Sequence, residues 1–179
     1  MRRLWAVIGS AIFLVIAPGF FAGLVPWWIS HWLVEPPFFG MRLFRFIGAG
    51  MVTLGAVGLL DSFARFALQG LGTPAPVFPT RHLVVSGLYR YVRNPMYATV
   101  VMTILGQGLI LGNLRLLEYG AVVWLPAHLF VLLYEEPTLR ATFGWEYQSY
   151  CAEVPRWIPR FTPWSRDLEA APGSHRARG

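Results

Sequence analysis

Residues 96–136 decide the fold, and they read MYATVVMTILGQGLILGNLRLLEYGAVVWLPAHLFVLLYEE. Two apolar runs, Met96 to Gly112 and Tyr119 to Tyr134, flank a short polar turn around Asn113 to Glu118. Each run approaches the roughly 20 residues that cross a bilayer, and the tight turn predicts an antiparallel helical hairpin. The Arg-rich segment before the hairpin and Glu135-Glu136 after it should therefore return to the same membrane face.

The composition is that of an integral membrane protein. Hydrophobic residues make up 55% of the 179 residues and charged residues 13%, with a mean hydropathy of +0.49, against roughly 25% charged residues in soluble domains. All 15 basic residues are arginine, and most flank apolar spans. We interpret them as topology signals and anionic-lipid contacts, and expect no nucleic-acid partner. Cys151 is the single cysteine, so we expect neither an intrachain disulfide nor a metal site.

Two further spans are predicted before the hairpin. Residues 4–34 carry no Asp, Glu, Lys or Arg, which favours a retained first helix over a cleaved leader, kinked or ended by Pro18 and Pro26. The second span runs from about Met41 to Leu71. It contains glycines where helices can approach closely, namely Gly48, Gly50, Gly55 and Gly58. The prediction is an all-α membrane protein with four transmembrane helices, or five if the first run divides.

A C-terminal amphipathic helix should lie at the membrane interface. Pro137 suits its first turn, and apolar residues recur at helical spacing: Leu139, Phe143, Tyr147, Tyr150 and Val154. We predict one domain over residues 1–164 and a polar disordered tail over 165–179. With four spans, 12 of the 15 arginines, Arg93 among them, fall on or near the cytoplasmic side, and so does the acidic pair.

Arg93 and the residues after it are candidate ligand-binding groups. A guanidinium can bind a carboxylate through two hydrogen bonds. Asn94 adds a donor and an acceptor, Pro95 stiffens the turn, and Tyr97 supplies a ring with a hydroxyl. The alternative is that Arg90 and Arg93 anchor a span at lipid head groups.

Glu135 and Glu136 form the second candidate group. Two adjacent carboxylates beside an apolar boundary repel each other and need a cationic partner, or they serve as N-terminal charges for the Pro137 helix. Gly106, Gln107 and Gly108 could let a ligand approach the third span, although helix packing is the alternative. We interpret Asp61 and Arg65 as a structural pair, and His128 as a helix-packing residue.

These motifs together resemble the membrane methyltransferases related to isoprenylcysteine carboxyl methyltransferase and phosphatidylethanolamine N-methyltransferase. The resemblance covers about residues 80–160, and it implies that this range is the cofactor-binding part of the domain. Its motifs occur in family order: His82 to Tyr97, Gly106-Gln-Gly108, Glu135 to Tyr150, Val154-Pro155 and Ile158-Pro159. It implies a small multi-helix bundle that binds S-adenosyl-L-methionine near the cytosolic interface. Asn94 stands where the isoprenylcysteine enzymes have histidine, which resembles bacterial relatives and disfavours a histidine base there.

The resemblance also implies roles for single residues. Arg93 corresponds to an arginine implicated in catalysis and binding, and Glu135 and Glu136 to an acidic pair associated with the cofactor. The implied catalytic residues are Arg93, Glu135 and Glu136. The implied cofactor-binding residues are Gly87, Leu88, Tyr89, Arg93, Asn94, Pro95, Tyr97, Gly106, Gln107, Gly108, Glu135 and Glu136.

The expected function is S-adenosyl-L-methionine-dependent methyl transfer to a lipid or isoprenyl-type amphiphile entering from the bilayer. The expected location is a bacterial inner membrane, with the site facing the cytoplasm. A carboxylate acceptor needs no base, whereas an amine acceptor must lose a proton, and the sequence leaves this choice and the oligomeric state open. The alternatives are a small-molecule binding or transport protein that uses the same Arg/Glu cluster, and a purely structural membrane protein.

Overall fold

The computed structural model describes residues 16–65 and 83–165, and every regular element in these two ranges is helical. The helices are α1 (Ile16–Ser30), α2 (Leu43–Arg65), α3 (Pro95–Leu111), α4 (Leu114–Phe143) and α5 (Trp145–Glu153). The all-α prediction is confirmed for this part of the chain. The predicted connector over 72–79 lies outside the described residues, as do the first 15 residues and the tail from 166 onward.

The predicted hairpin is formed by α3 and α4. Gly112 ends α3 with φ +71°, a left-handed conformation that favours glycine. Asn113 then caps α4, because its side chain accepts a hydrogen bond from the Leu116 N–H at 3.2 Å. This cap lets α4 begin at Leu114, so the turn is shorter than the sequence suggested.

Glycines bring α2 and α3 close together. A Cβ on Gly48 would lie 2.6 Å from the Gly106 carbonyl oxygen, and one on Gly55 would lie 3.0 Å from the Thr99 carbonyl oxygen. The N-terminal part of α2 therefore packs on the C-terminal part of α3, and the two helices run antiparallel. The end of α2, the start of α3 and the end of α4 consequently share one end of the bundle.

Two helices are long and apolar enough to cross a membrane by length and composition, α2 with 23 residues and α4 with 30. The helices α1 and α3 are apolar but shorter. Within the described residues α1 ends at Ser30, inside the uncharged run of residues 4–34, because His31 and Trp32 have positive φ. The number of spans stays a prediction.

Pro26 produces a π-helical turn in α1, over Phe20–Leu24. Proline has no N–H, so the carbonyls of Ala22 and Phe21, four and five residues earlier, lack the backbone donor that a helix would supply. Side chains from the hairpin supply the missing hydrogen-bond donors. Gln107 Nε2 donates to the Ala22 oxygen at 2.7 Å, and the Tyr119 hydroxyl donates to the Phe21 oxygen at 3.1 Å.

The C-terminal helices differ from the prediction. The helix α4 does not end near Tyr134 but continues to Phe143 through a π-helical turn over Val131–Glu135, where the Glu136 N–H bonds to the Val131 oxygen. Pro137 therefore lies inside a long helix and does not begin a separate one. The predicted amphipathic helix is divided at Gly144, whose φ is +51°.

Candidate functional site

The C-terminal segment forms backbone hydrogen bonds with the Arg-rich segment at one end of the bundle. The Arg93 N–H bonds to the Pro155 oxygen, and the Arg160 N–H to the Tyr91 oxygen, both at 2.9 Å. The Trp164 N–H bonds to the Arg90 oxygen at the same distance. Because residue numbers rise along one segment as they fall along the other, the two segments run antiparallel. We call residues 155–164 the strap.

A small aromatic core holds the strap and α5 in place. Tyr147, Tyr150 and Val154 are buried together, and the Tyr150 hydroxyl donates to the Tyr89 carbonyl at 2.6 Å. Burial raises the pKa of Tyr150, so its hydroxyl stays a neutral donor. Tyr89 is itself buried and lies within the turn over Gly87–Arg90. The position of α5 thus depends on the backbone immediately before Arg93.

Glu136 is buried in a cluster of arginines. Its side chain is 6% exposed, and Arg156 binds both of its oxygens, from Nε at 2.6 Å and from a terminal nitrogen at 3.1 Å. Arg93 lies 3.2 Å away and Arg140 3.9 Å away. The bond with Glu136 raises the pKa of Arg156. The prediction that the Arg-rich segment and the acidic pair meet at one face is confirmed by the contact between Arg93 and Glu136.

Glu135 has a different environment from its neighbour. Its Oε2 accepts a hydrogen bond from the Tyr97 hydroxyl at 3.0 Å. No Lys, Arg or His within residues 16–65 and 83–165 forms a salt bridge with it. Adjacent residues of a helix point in directions about 100° apart, so the two consecutive carboxylates meet different partners. Glu135 is therefore a half-buried carboxylate without a protein cation in the described structure.

Arg93 links the arginine cluster to α5 and retains unused donors. Its Nη1 lies 2.9 Å from the Cys151 sulfur as well as 3.2 Å from Glu136. Its Nε is buried and has no hydrogen-bond partner among the described residues. A buried guanidinium N–H without an acceptor is costly. The group is therefore suited to binding an additional oxygen from a ligand.

Asn94 and Pro95 shape the start of α3. Pro95 occupies its first turn, as predicted, and is fully buried. Asn94 is also buried, and its side-chain nitrogen donates to the Arg156 carbonyl at 3.2 Å. The structure thus uses the Asn94 donor to hold the strap next to Glu136. A direct contact of either residue with a cofactor stays a prediction.

The Gly87 turn packs on the end of α2. Gly87 has φ +56°, and a Cβ there would clash with the Arg65 guanidinium. Arg65 pairs with Asp61 at 2.8 Å, and Asp61 also accepts from the Leu88 N–H at 3.5 Å. This geometry agrees with the structural interpretation of the Asp61–Arg65 pair. The cofactor-binding roles of Gly87, Leu88 and Tyr89 stay predictions.

The Gly106–Gly108 segment lies away from the arginine cluster, about 16 Å along α3 from Pro95 at 1.5 Å per residue. A Cβ on Gly106 would lie 2.8 Å from the Gly48 oxygen, and one on Gly108 would lie 2.6 Å from Leu117. Gln107 binds α1 through the Ala22 carbonyl. All three residues therefore have packing roles, and their contact with a cofactor stays a prediction.

Three residues of the cluster were missed by the sequence reasoning: Arg140, Cys151 and Arg156. Arg156 was detectable in principle, because it lies between the proline motifs Val154-Pro155 and Ile158-Pro159 that carry part of the resemblance. Cys151 was considered only as a disulfide or metal residue. Its packing beside Arg93 depends on the break at Gly144, which no helical periodicity indicates.

Comparison with known proteins identifies the family. The sequence model for phospholipid methyltransferases matches residues 43–146, more than half of the chain. A protein-S-isoprenylcysteine O-methyltransferase of Schizosaccharomyces pombe is 36% identical over 78 residues. That alignment covers 43% of this chain and 33% of the yeast protein, so the match spans about a third of the relative's length. The matched family range includes α2, α3, α4 and the acidic pair.

Proposed function

Because the chain belongs to the phospholipid methyltransferase family, we propose that it is an S-adenosyl-L-methionine-dependent methyltransferase. The methyl acceptor is a lipid or isoprenyl-type amphiphile that enters laterally from the bilayer. The site faces the cytosolic interface of the membrane, in line with the arginine distribution. The similarity to the yeast isoprenylcysteine enzyme supports an amphiphilic acceptor.

One observation carries the proposal, which is the division of the acidic pair. Glu136 is neutralised by arginines, with Arg156 on both of its oxygens. In the described residues, Glu135 accepts a side-chain hydrogen bond only from the Tyr97 hydroxyl. A partly buried carboxylate of this kind favours a cationic ligand. Glu136 is thus a positioning residue, and Glu135 is the carboxylate that meets the methyl donor.

The donor groups present fit S-adenosyl-L-methionine. Its carboxylate suits the unpartnered Arg93 Nε, and its ammonium and sulfonium suit Glu135. When bound, it supplies an electrophilic methyl group on a sulfonium. Tyr97 restricts the orientation of the Glu135 carboxylate, and the strap fixes the backbone of Arg93. In-line displacement depends mainly on such positioning and on exclusion of water.

The nature of the acceptor decides whether Glu135 has a second role. A carboxylate acceptor is already a nucleophile and needs no base, whereas an amine acceptor must lose a proton before it attacks. In the second case Glu135 is the candidate base, because it is the member of the acidic pair that is not bound by arginine in the described residues. Arg93 then acts by holding the donor, while Glu135 both orients the donor and accepts the proton.

The proposal is tested by incubating purified protein in lipid vesicles with radiolabelled S-adenosyl-L-methionine and total membrane lipid extract. We expect a labelled lipid product, and a large loss of label with Arg93→Ala and Glu135→Gln. Arg115→Ala is the matched control, because Arg115 is exposed at the opposite end of α4. A folded protein that transfers no methyl group, but moves a small molecule across the vesicle membrane, would favour the transport alternative instead.

A further inference from the structure

A second side-chain cluster lies outside the arginine cluster, and it consists of Trp124 and His128 on α4 and Trp157 on the strap. The Trp157 indole N–H donates to His128 Nδ1 at 2.9 Å. The Trp124 ring stacks on the His128 ring, with centroids 4.8 Å apart and planes inclined by 16°. The strap thus contacts α4 through a hydrogen bond as well as through aromatic packing.

This contact fixes the proton of the imidazole. An indole N–H can only donate, so His128 Nδ1 must accept, and the neutral ring carries its proton on Nε2. Within residues 16–65 and 83–165, no group accepts a hydrogen bond from His128 Nε2. The half-buried ring therefore offers one oriented donor and is not a base in this tautomer.

The position of His128 on α4 suggests that its Nε2 donor, which has no partner in the described residues, marks a ligand site. It precedes Glu135 by seven residues, which is about 10 Å along an apolar helix long enough to cross a membrane. A polar group at membrane depth is costly unless it has a partner, and such groups commonly mark ligand sites. Trp157 directly follows Arg156, so the aromatic cluster adjoins the residues that bind Glu136.

The charges nearby favour an anionic partner. The arginine cluster contains Arg93, Arg140 and Arg156 against the two carboxylates of Glu135 and Glu136, which leaves one net positive charge. Exposed apolar side chains on the strap, Ile158 and Phe161, could contact a hydrocarbon chain. An oxyanion at His128 attached to such a chain would satisfy both the donor and the charge.

We propose that the Trp124–His128–Trp157 cluster binds the oxyanion of an anionic amphiphile, a carboxylate or a phosphate, through His128 Nε2–H. This proposal rests on the proposed function, for which it supplies the subsite of the acceptor's polar group. The shared chemistry is an oxyanion on an apolar chain. The indole of Trp157 orients the imidazole, and the Trp124 ring covers one of its faces.

The test uses the full chain labelled with ¹⁵N-histidine in a non-ionic detergent, and the loss of a signal in His128→Gln identifies His128. We expect the His128 Nε2 resonance to shift saturably when laurate or dodecyl phosphate is added. The ligand that gives the stronger response shows whether the site prefers a carboxylate or a phosphate. Dodecanol should leave it unchanged. Trp157→Phe should weaken the response about 5- to 10-fold, because it removes the indole N–H that holds the imidazole proton on Nε2. His31→Gln, on the loop after α1, should match wild type.

Three results would overturn the proposal. One is an absence of any saturable shift with both anions in a folded sample. Another is an equal response to dodecanol, which would indicate apolar contact alone. The third is a stronger response to dodecyltrimethylammonium, which would indicate a cation–aromatic site. If any of these occurs while S-adenosyl-L-methionine still binds, the methyltransferase proposal stands and only the acceptor subsite is lost.

Discussion

Glu135 and Glu136 are adjacent in the sequence but bind different partners: Glu135 accepts from the Tyr97 hydroxyl at 3.0 Å, and Glu136 is bound by Arg156 at 2.6 Å. Adjacent residues of a helix point in directions about 100° apart, and Glu135 also ends a π-helical turn. Turns of this kind occur frequently at functional sites. The two carboxylates should therefore respond differently to the same substitution.

Glu136→Gln should reduce stability. It leaves Arg93 and Arg156 without a neutralising carboxylate at a position that is 6% exposed. Breaking a buried ion pair costs about 3 kcal/mol, which corresponds to a fall in melting temperature on the order of 5–10 °C. Thermal unfolding followed by tryptophan fluorescence in detergent measures this. Glu118→Gln, at an exposed position near the start of α4, should leave the midpoint unchanged. Equal midpoints for the two variants would refute the positioning role.

Gly106→Ala tests whether this glycine serves packing or a cofactor. A Cβ at Gly106 would lie 2.8 Å from the Gly48 oxygen, so α2 and α3 would have to separate. We expect the free energy of unfolding to fall by about 1–3 kcal/mol, which lowers the melting temperature. The affinity of the folded fraction for S-adenosyl-L-methionine should be unchanged. Gly50→Ala is the control, because no atom lies within 4 Å of its added Cβ. Lost affinity at full stability would instead support the cofactor role.

Pro26 and Gln107 should be energetically coupled. Gln107→Leu removes the donor to the Ala22 carbonyl, at an expected cost of about 1–2 kcal/mol. Pro26→Ala restores a backbone N–H that can bond to the Ala22 carbonyl, four residues earlier in α1. The cost of Gln107→Leu should therefore be smaller in the Pro26→Ala background. A double-mutant cycle of unfolding midpoints gives the coupling, and strictly additive effects would show that the two features are independent.

The parts of the fold that follow from local patterns could be predicted from the sequence. The apolar runs and the polar turn at Asn113 predict the hairpin, and the hairpin brings Arg93 to the acidic pair. The continuation of α4 through Pro137 was not predictable in the same way. A proline ends or kinks a helix by local rules, and only a π-helical turn accommodates it here.

The candidate site likewise has a part that local sequence patterns predict and a part that depends on contacts between distant segments. Arg93, Tyr97 and the two glutamates were identified as candidates because unusual residue types stand at the two ends of the apolar hairpin. Arg156 was missed because its role depends on the strap returning to residues 90–94, a contact between distant segments. Its bond with Glu136 joins residues that are 20 positions apart and separated by a helix break at Gly144.

The most direct test of the central claim compares the affinities of S-adenosyl-L-methionine and S-adenosyl-L-homocysteine by calorimetry. The two ligands differ by the methyl group and by the positive charge on sulfur. If Glu135 meets that charge, Glu135→Gln should weaken S-adenosyl-L-methionine binding about 10-fold, or roughly 1.4 kcal/mol. It should weaken S-adenosyl-L-homocysteine binding much less, and Glu118→Gln should weaken neither. Unchanged S-adenosyl-L-methionine affinity in a folded Glu135→Gln protein would contradict the account.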